Sequence, residues 1–306
     1  MTLKNGEYVI EVSRPKYWYF GLMAYITDFC NYNCWYCYNE KNIQKRNLDL
    51  HRLCKYIRFL QKNIDKPIEL ELIGGEPSVH PQIVEFVRMV QDIKPVLFTN
   101  FSLDCEIYRQ MSDCGALFDI TYHLIDGRKN QKVLDNIEKI YQYNGDSIRN
   151  INVMLDKNHF DQLMETFNYL VVAYRDKNIE PRLILINETP DKYTDEQLFR
   201  FGQLIQKDDY RYFNVRTNLS EYQVCHNQIY WMTNQIYTKW LCLAGKDALY
   251  IHNNGNIYCC EGYYDYFEST PLGNIFDGMF LPSKPTICNA KFCPYWTHMK
   301  KTRIFK

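Results

Sequence analysis

The sequence of 306 residues is long enough for about two domains at ~150 residues each, or for one α/β barrel with a small appendage. Its 36 Lys and Arg against 36 Asp and Glu give a formal net charge of zero, which excludes the broadly basic surface of a nucleic-acid binder. No run of 18 apolar residues is present to cross a membrane, and Met1 to Glu7 carry no apolar signal-peptide core. The 12 cysteines thus belong to a chain expected in a reducing cytoplasm, where metal binding or catalysis explains them better than disulfides.

Residues 1–19 read as an N-terminal segment. From residue 20 to about 210, short apolar runs alternate with amphipathic stretches. The runs Leu22–Ile26, Ile68–Ile73, Val96–Phe98, Leu117–Tyr122, Ile151–Leu155 and Arg182–Ile186 are rich in Ile, Val and Leu and bounded by polar residues or Pro, as buried parallel strands are. Between them Leu50, Leu53, Cys54 and Ile57 recur at helical spacing, as do Ile83, Val84, Val87 and Val90. Val133, Leu134, Ile137 and Ile140 repeat the pattern, and so do Leu163, Phe167, Leu170, Val171 and Tyr174. Pro81 is expected in the first turn of its helix, where a missing N–H costs nothing. Strand–helix units in a row predict a parallel sheet with right-handed crossovers. Six of them fall short of a closed barrel and predict a partial (β/α)6 TIM-like barrel over 20–210, with its active site at the carboxyl ends of the strands.

Past residue 210 helical periodicity fades. Residues 211–238 read as a linker or bridging segment. Residues 239–306 read as a small Cys-rich module in which five of the 12 cysteines fall between Cys242 and Cys293, held by something other than an apolar core.

Directly after the first strand comes Asp28-Phe29-Cys30-Asn31-Tyr32-Asn33-Cys34-Trp35-Tyr36-Cys37, a C-x3-C-x2-C spacing with no fourth cysteine before Cys54. A four-iron cluster normally takes four thiolates. Three thiolates on one short loop hold three irons and leave the fourth open to a ligand, which makes it a site for chemistry. Half a zinc knuckle, Cys34-x2-Cys37, is the bland alternative. Zinc sites usually pair one such motif with a second, and the chain has no second Cys-x2-Cys.

In these residues the sequence resembles the radical S-adenosylmethionine (radical SAM) superfamily, whose signature is C-x3-C-x-aromatic-C in the loop after the first barrel strand. The aromatic here is Tyr36. Gly74-Gly75-Glu76-Pro77, directly after the second strand, resembles the family motif that holds the amino group of SAM. Two glycines let backbone approach a ligand, and a carboxylate pairs with an ammonium. The resemblance covers roughly residues 20–207. It implies a 4Fe-4S cluster with an open iron site on Cys30, Cys34 and Cys37, and SAM held near Tyr36, Gly74, Gly75, Glu76 and Pro77. Thr99 and Asn100 after the third strand, and Thr121 and His123 on the fourth, are expected as further SAM contacts.

Of the other nine cysteines, Cys54, Cys105 and Cys114 read as small buried hydrophobes. Cys242, twelve residues, Gly255, four residues and Cys260 resemble the opening of the cysteine-rich extension called SPASM, or its shorter form, the twitch domain. Leu249-Tyr250-Ile251 and Asn256-Ile257-Tyr258 are expected strands around the turn Asn253-Asn254-Gly255. The resemblance implies one auxiliary 4Fe-4S cluster on Cys242, Cys260, Cys288 and Cys293, with Cys259 spare; a structural zinc site is the alternative.

By resemblance, the chain is expected to cleave SAM reductively to a 5′-deoxyadenosyl radical that takes a hydrogen atom from a substrate C–H bond. A flavodoxin or ferredoxin would act as reductant. The substrate is a small metabolite or a peptide, and the auxiliary cluster suggests an oxidative modification in a biosynthetic pathway. With 29 residues before Cys30, too few for a leader-recognition domain, a small metabolite or a peptide delivered by a separate partner is favoured. The alternative enzyme is a peptide epimerase or cross-linking enzyme, with Cys225, beside His226, as hydrogen-atom donor. A two-cluster electron carrier and a zinc-stabilised binding module are the non-enzymatic alternatives.

Overall fold

The computed structural model describes residues 8–13, 19–37, 45–174, 177, 179–186, 193–205, 212–217, 221–225, 239–261, 270–288 and 301–305. They fall into two units: one of residues Ala24–Ile57 and Glu69–Gly202, and one of Met1–Met23, Arg58–Ile68 and Gln203–Lys306.

The chain opens with β1 (Tyr8–Ser13) and then alternates: β2 (Phe20–Tyr25), α1 (Leu50–Asn63), β3 (Ile68–Ile73), α2 (Ile83–Met89), β4 (Val96–Thr99), α3 (Cys105–Asp113), β5 (Leu117–Tyr122), α4 (Gln131–Asn144), β6 (Ile148–Leu155), α5 (Phe160–Tyr174), β7 (Glu180–Leu185) and α6 (Asp195–Ile205). Strands β2 to β7 are neighbours in sequence order, and the pairs from β3 to β7 are parallel. This is the expected alternation of six strands and six helices, a mixed α/β partial barrel. Asp49 caps α1, its Oδ1 accepting from the amides of His51 at 3.0 Å and Arg52 at 3.1 Å. Asp104 caps α3 in the same way, from Glu106 N at 2.9 Å. Both carboxylates satisfy amides that a first helical turn leaves free. Pro81 lies in the turn ahead of α2 rather than in its first turn, since the helix begins at Ile83. The apolar helix faces anticipated from spacing are buried: Leu53 and Ile57 of α1, Val87 of α2, Val133 and Ile137 of α4, Leu163 and Leu170 of α5. Cys54, Cys105 and Cys114 are half-buried rather than buried; Cys105 opens α3 and Cys114 caps its carboxyl end.

One face of the parallel sheet is polar towards its amino-terminal end. Alternation puts Glu69 and Glu71 of β3, Asp119 and Thr121 of β5, and Asn150 and Asn152 of β6 on a common face. The β5–β6 register runs Phe118↔Ile148 and then Asp119↔Asn150, so Arg149 is an extra residue in β6. Such a bulge re-aims a side chain. Here Arg149 Nη1 lies 3.2 Å from Glu69, and its Nη2 lies 3.6 Å from Glu71 and 3.4 Å from Asp119. Asn150 and Asn152 also donate to Asp119. One guanidinium thus gathers three carboxylates, of which Glu71 and Asp119 are buried.

The remaining strands are β8 (Tyr212–Thr217), β9 (Glu221–Cys225), β10 (Trp240–Cys242), β11 (Ala248–Ile251), β12 (Asn256–Tyr258), β13 (Gly273–Asn274), β14 (Thr286–Cys288) and β15 (Lys301–Phe305). In the second unit β14-β10-β15-β1-β8-β9 form one sheet in that order. Segments 1–19 and 211–238, expected as a terminal segment and a linker, therefore contain the strands β1, β8 and β9. β1 pairs antiparallel with β8 and β15, which follow it by some 200 and 290 residues (Ile10↔Thr217, Tyr8↔Phe305). β11 and β12 form the expected hairpin. Gly255 closes it at φ +84°, and a Cβ there would stand 2.4 Å from the Phe276 ring, so both backbone and packing require glycine. Among the described residues no helix is long and apolar enough to cross a membrane.

Candidate active site at the carboxyl ends of the strands

Cys30, Cys34 and Cys37 lie on the loop that leaves β2, none of them in a disulfide. The loop has little regular structure of its own; one turn joins Cys37 N to Cys34 O at 2.9 Å. Its entry is stitched to the Gly74-Gly75-Glu76 segment after β3. Gly75 N donates to Thr27 O and Glu76 N to Phe29 O, both at 2.8 Å. A Cβ on Gly74 or Gly75 would stand 2.5 Å from Thr27 O or Phe29 O respectively. The glycines are therefore required by the close approach of two protein backbones, a tighter constraint than the ligand approach expected from sequence. Gly75→Ala is expected to destabilise the metal-free protein by about 2–4 kcal/mol, because the clash is with backbone that cannot rotate away. A thermal unfolding midpoint equal to that of the parent would contradict this.

Glu76 is buried and caps the 3-10 turn that Pro77 begins. Its Oε1 accepts from Ser78 N at 3.0 Å, Ser78 Oγ at 2.5 Å and Thr99 Oγ1 at 2.7 Å, and its Oε2 accepts from Asn100 N at 2.6 Å. Burial pushes its pKa up, against these four hydrogen bonds that favour the ionised form. The carboxylate thus joins the ends of β3 and β4, with three of the donors on Oε1 and one on Oε2. Glu76→Gln is expected to cost about 1–3 kcal/mol, since the amide NH2 would confront one of those donors. Urea unfolding of the metal-free variant checks this, and an unchanged midpoint would argue against the hub.

Thr99 and Asn100 are likewise drawn into the chain. Asn100 Nδ2 donates to Asn31 Oδ1 at 2.9 Å, and its Oδ1 accepts from Ser102 N at 3.1 Å and Ser102 Oγ at 2.6 Å. Asn31 Nδ2 donates to Ser102 Oγ at 2.7 Å. The next residue, Phe101, adopts φ +56°. It is held there by stacking on Tyr108 at 4.0 Å and by Asn136, whose Nδ2 donates to Phe101 O at 2.9 Å.

The rest of the cysteine loop is tied to the segment between β5 and α4. Tyr32 Oη accepts from Asn130 Nδ2 at 2.7 Å, and Tyr36 Oη lies 2.6 Å from Nδ1 of His123, with the two rings stacked. Cys34 Sγ lies 3.9 Å from the same nitrogen. Desolvation pushes the His123 imidazole down to about 4, so it is neutral near pH 7. Cys30 is an exposed residue, but desolvation around its sulfur by the neighbouring chain also pushes the thiol up, with the negative charges of Glu76 and Cys37 adding to it. Thr121 stands opposite Asn152 in the β5–β6 register. Asn31, Ser102 and Asn130 were not singled out from sequence, because isolated small polar residues at strand ends are too common to carry a signal.

Among the described residues no three His, Cys, Asp or Glu side chains converge tightly enough to hold a single metal ion. The radical SAM superfamily model matches residues 24–170. This part of the chain is a radical SAM domain. A GTP 3′,8-cyclase of Mannheimia succiniciproducens is 25% identical over 200 residues, covering 59% of this chain and 57% of the relative. That of Aliarcobacter butzleri is 27% identical over 132 residues, 40% of each chain. The chain spans about half the length of the curated relatives it matches. Among solved structures, Streptococcus suis SuiB bound to S-adenosylmethionine aligns with a TM-score of 0.60 at 15% identity, over 86% of this chain and 64% of that one. The anSMEcpe structure with AdoMet and the Kp18Cys peptide aligns at 0.55 and 15%, over 85% and 78%. At such identity the likeness is one of fold.

The radical SAM domain offers a donor set suited to a cluster: three soft thiolates on one loop, anchored on both sides of Cys34, with a glycine-tight backbone beside them. In the other unit Cys242 and Cys288 lie on the buried face of paired strands, with Trp240↔Cys288 and Cys242↔Thr286 in register. Cys259 is buried and lies within 3.2 Å of where a Cβ on Gly245 would be; Cys260 is half-buried. Cys293 lies outside the described residues, as does the side chain of Cys225, whose backbone ends β9 opposite Tyr212.

Proposed function

We propose that the protein is a radical SAM enzyme. The observation that carries this reading is the loop of Cys30, Cys34 and Cys37, locked to the Gly74-Gly75-Glu76 segment at the carboxyl ends of β3 and β4 within a matched radical SAM domain. Cys30, Cys34 and Cys37 would hold a 4Fe-4S cluster, which when bound would supply the electron for reductive cleavage of SAM and so the means to take a hydrogen atom from a substrate C–H bond. The chain's own residues carry the thiolates and shape the loop that presents them. Glu76, whose Oε2 accepts from Asn100 N, is proposed to pair with the ammonium of SAM. The neutral His123 braces Tyr36 against the loop.

Anaerobic reconstitution tests the reading. Iron and sulfide uptake with 5′-deoxyadenosine formation under dithionite supports it; a brown protein that leaves SAM intact indicates an electron carrier, and a colourless one a zinc-stabilised module.

The second unit is proposed to hold one auxiliary 4Fe-4S cluster on Cys242, Cys260, Cys288 and Cys293, as a twitch-type module. The buried, paired positions of Cys242 and Cys288 after the Gly255 hairpin support this. Replacing these four cysteines with Ala together should remove one cluster's worth of iron, about four per chain, while uncoupled SAM cleavage persists. Unchanged iron would mean that they hold none. The substrate is proposed to be a small metabolite or a peptide, and the outcome an oxidation. The anSMEcpe structure contains a peptide, which keeps the peptide class open by likeness of fold. A flavodoxin or ferredoxin in a reducing cytoplasm fits the electron requirement.

A further inference from the structure

We infer that Asn31, braced by Asn100 and Ser102, is a positioning residue that sets the place of the first cysteine thiolate, Cys30, before any metal is bound; the inference rests on the cluster reading above. The bonds among these three residues form a closed ring whose directions are dictated by one backbone amide. Ser102 N–H can only donate, so Asn100 Oδ1 faces it at 3.1 Å. The amide nitrogen of Asn100 must then point the other way, to Asn31 Oδ1 at 2.9 Å. That leaves Asn31 Nδ2 to donate to Ser102 Oγ at 2.7 Å, and the Ser102 hydroxyl proton to return to Asn100 Oδ1 at 2.6 Å. Each partner is used in the only sense its chemistry allows. Asn100 is also held through its N–H by Glu76 Oε2, so the ring is fastened to the β3 end as well as to β4.

The ring sits where the loop most needs it. Cys30 and Asn31 are exposed, and the last backbone tie before them is Glu76 N to Phe29 O. Just beyond, Tyr32 N donates to Cys30 Sγ at 3.4 Å, so the backbone that follows Asn31 addresses the sulfur itself. Fixing the Asn31 side chain therefore fixes both the peptide that carries Cys30 and the donor that meets its thiolate. Tyr32 and Tyr36 fasten the later stretches to Asn130 and His123. The ring holds the residue that directly follows the first cysteine. Asn31 itself would touch neither iron nor substrate.

The test needs both metal-free and loaded protein. In the metal-free chain, hydrogen exchange of the peptide over 29–37 and the rate of Cys30 alkylation by iodoacetamide are measured for the parent, Asn31→Ala, Ser102→Ala and Ser102→Thr. Both alanine variants should exchange and alkylate about five- to thirty-fold faster, the loss of one to two ordinary hydrogen bonds, with exchange in β4 and β5 unchanged. Ser102→Thr, which keeps the hydroxyl, should restore the parent rates. In reconstituted protein the alanine variants should shift the reduced-cluster EPR spectrum at equal iron content. Parent-like exchange, alkylation and EPR in Asn31→Ala overturn the inference. Faster exchange throughout β4 and β5 also overturns it, by showing a general loss of fold. If the parent itself takes up no iron and gives no cluster signal, the cluster reading fails, whatever the metal-free rates show.

Discussion

Replacing Cys30, Cys34 and Cys37 together by Ala is expected to bring 5′-deoxyadenosine formation under dithionite down to background, a loss of about a thousand-fold or more, because no thiolate remains to hold a cluster in the radical SAM domain. Each single replacement should approach the same limit, since two loop thiolates leave a second iron without its ligand. The fold should survive. The tie between Gly75 and Thr27 and the Glu76 hub with Thr99 and Asn100 involve no cysteine side chain. The measurement pairs product formation with circular dichroism of the metal-free variant. Cleavage that persists in a folded triple variant would sink the assignment of these three residues.

Arg149→Met should cost about 3 kcal/mol in urea unfolding at pH 7. Methionine can fill much of the space of the arginine stem, so the effect isolates the charge. Without the guanidinium, Glu69, Glu71 and Asp119 share a face with no cation, and Glu71 and Asp119 are buried there. The sign of the pH effect follows from linkage. In the variant the folded state gains by binding protons at this cluster, so it binds more of them than the unfolded chain does, and stability rises as pH falls. The deficit against the parent should therefore shrink between pH 7 and about pH 5. A deficit that is constant or grows on acidification would show that packing, not charge, is what Arg149 supplies.

The Arg149 cluster also shows where sequence reading stops. Alternation within β6 would put Arg149 and Asn150 on opposite faces. Only the bulge between Phe118↔Ile148 and Asp119↔Asn150 sends the guanidinium to the carboxylates. A bulge is decided by how two strands far apart in sequence pair, and no local pattern records it. The same holds for the Glu76 hub. Gly74-Gly75-Glu76-Pro77 is conspicuous in sequence, yet whether its carboxylate faces a ligand or Ser78, Thr99 and Asn100 depends on the adjacency of β3 and β4.

What the sequence determines by itself is what short-range periodicity and close spacing can carry. The six apolar runs, the helical repeats between them, the C-x3-C-x2-C loop and the hairpin around Gly255 each depend on residues near one another in the chain, and each stands where expected. What only the tertiary structure decides is contact across long separations. β1 became a strand because β8 and β15 supply its hydrogen-bonding partners. Asn31 became part of the site because Asn100 and Ser102, about 70 residues on, close a ring with it. Backbone and amide hydrogen bonds are satisfied by whatever partner the fold brings near, and that partner leaves no trace in the local sequence.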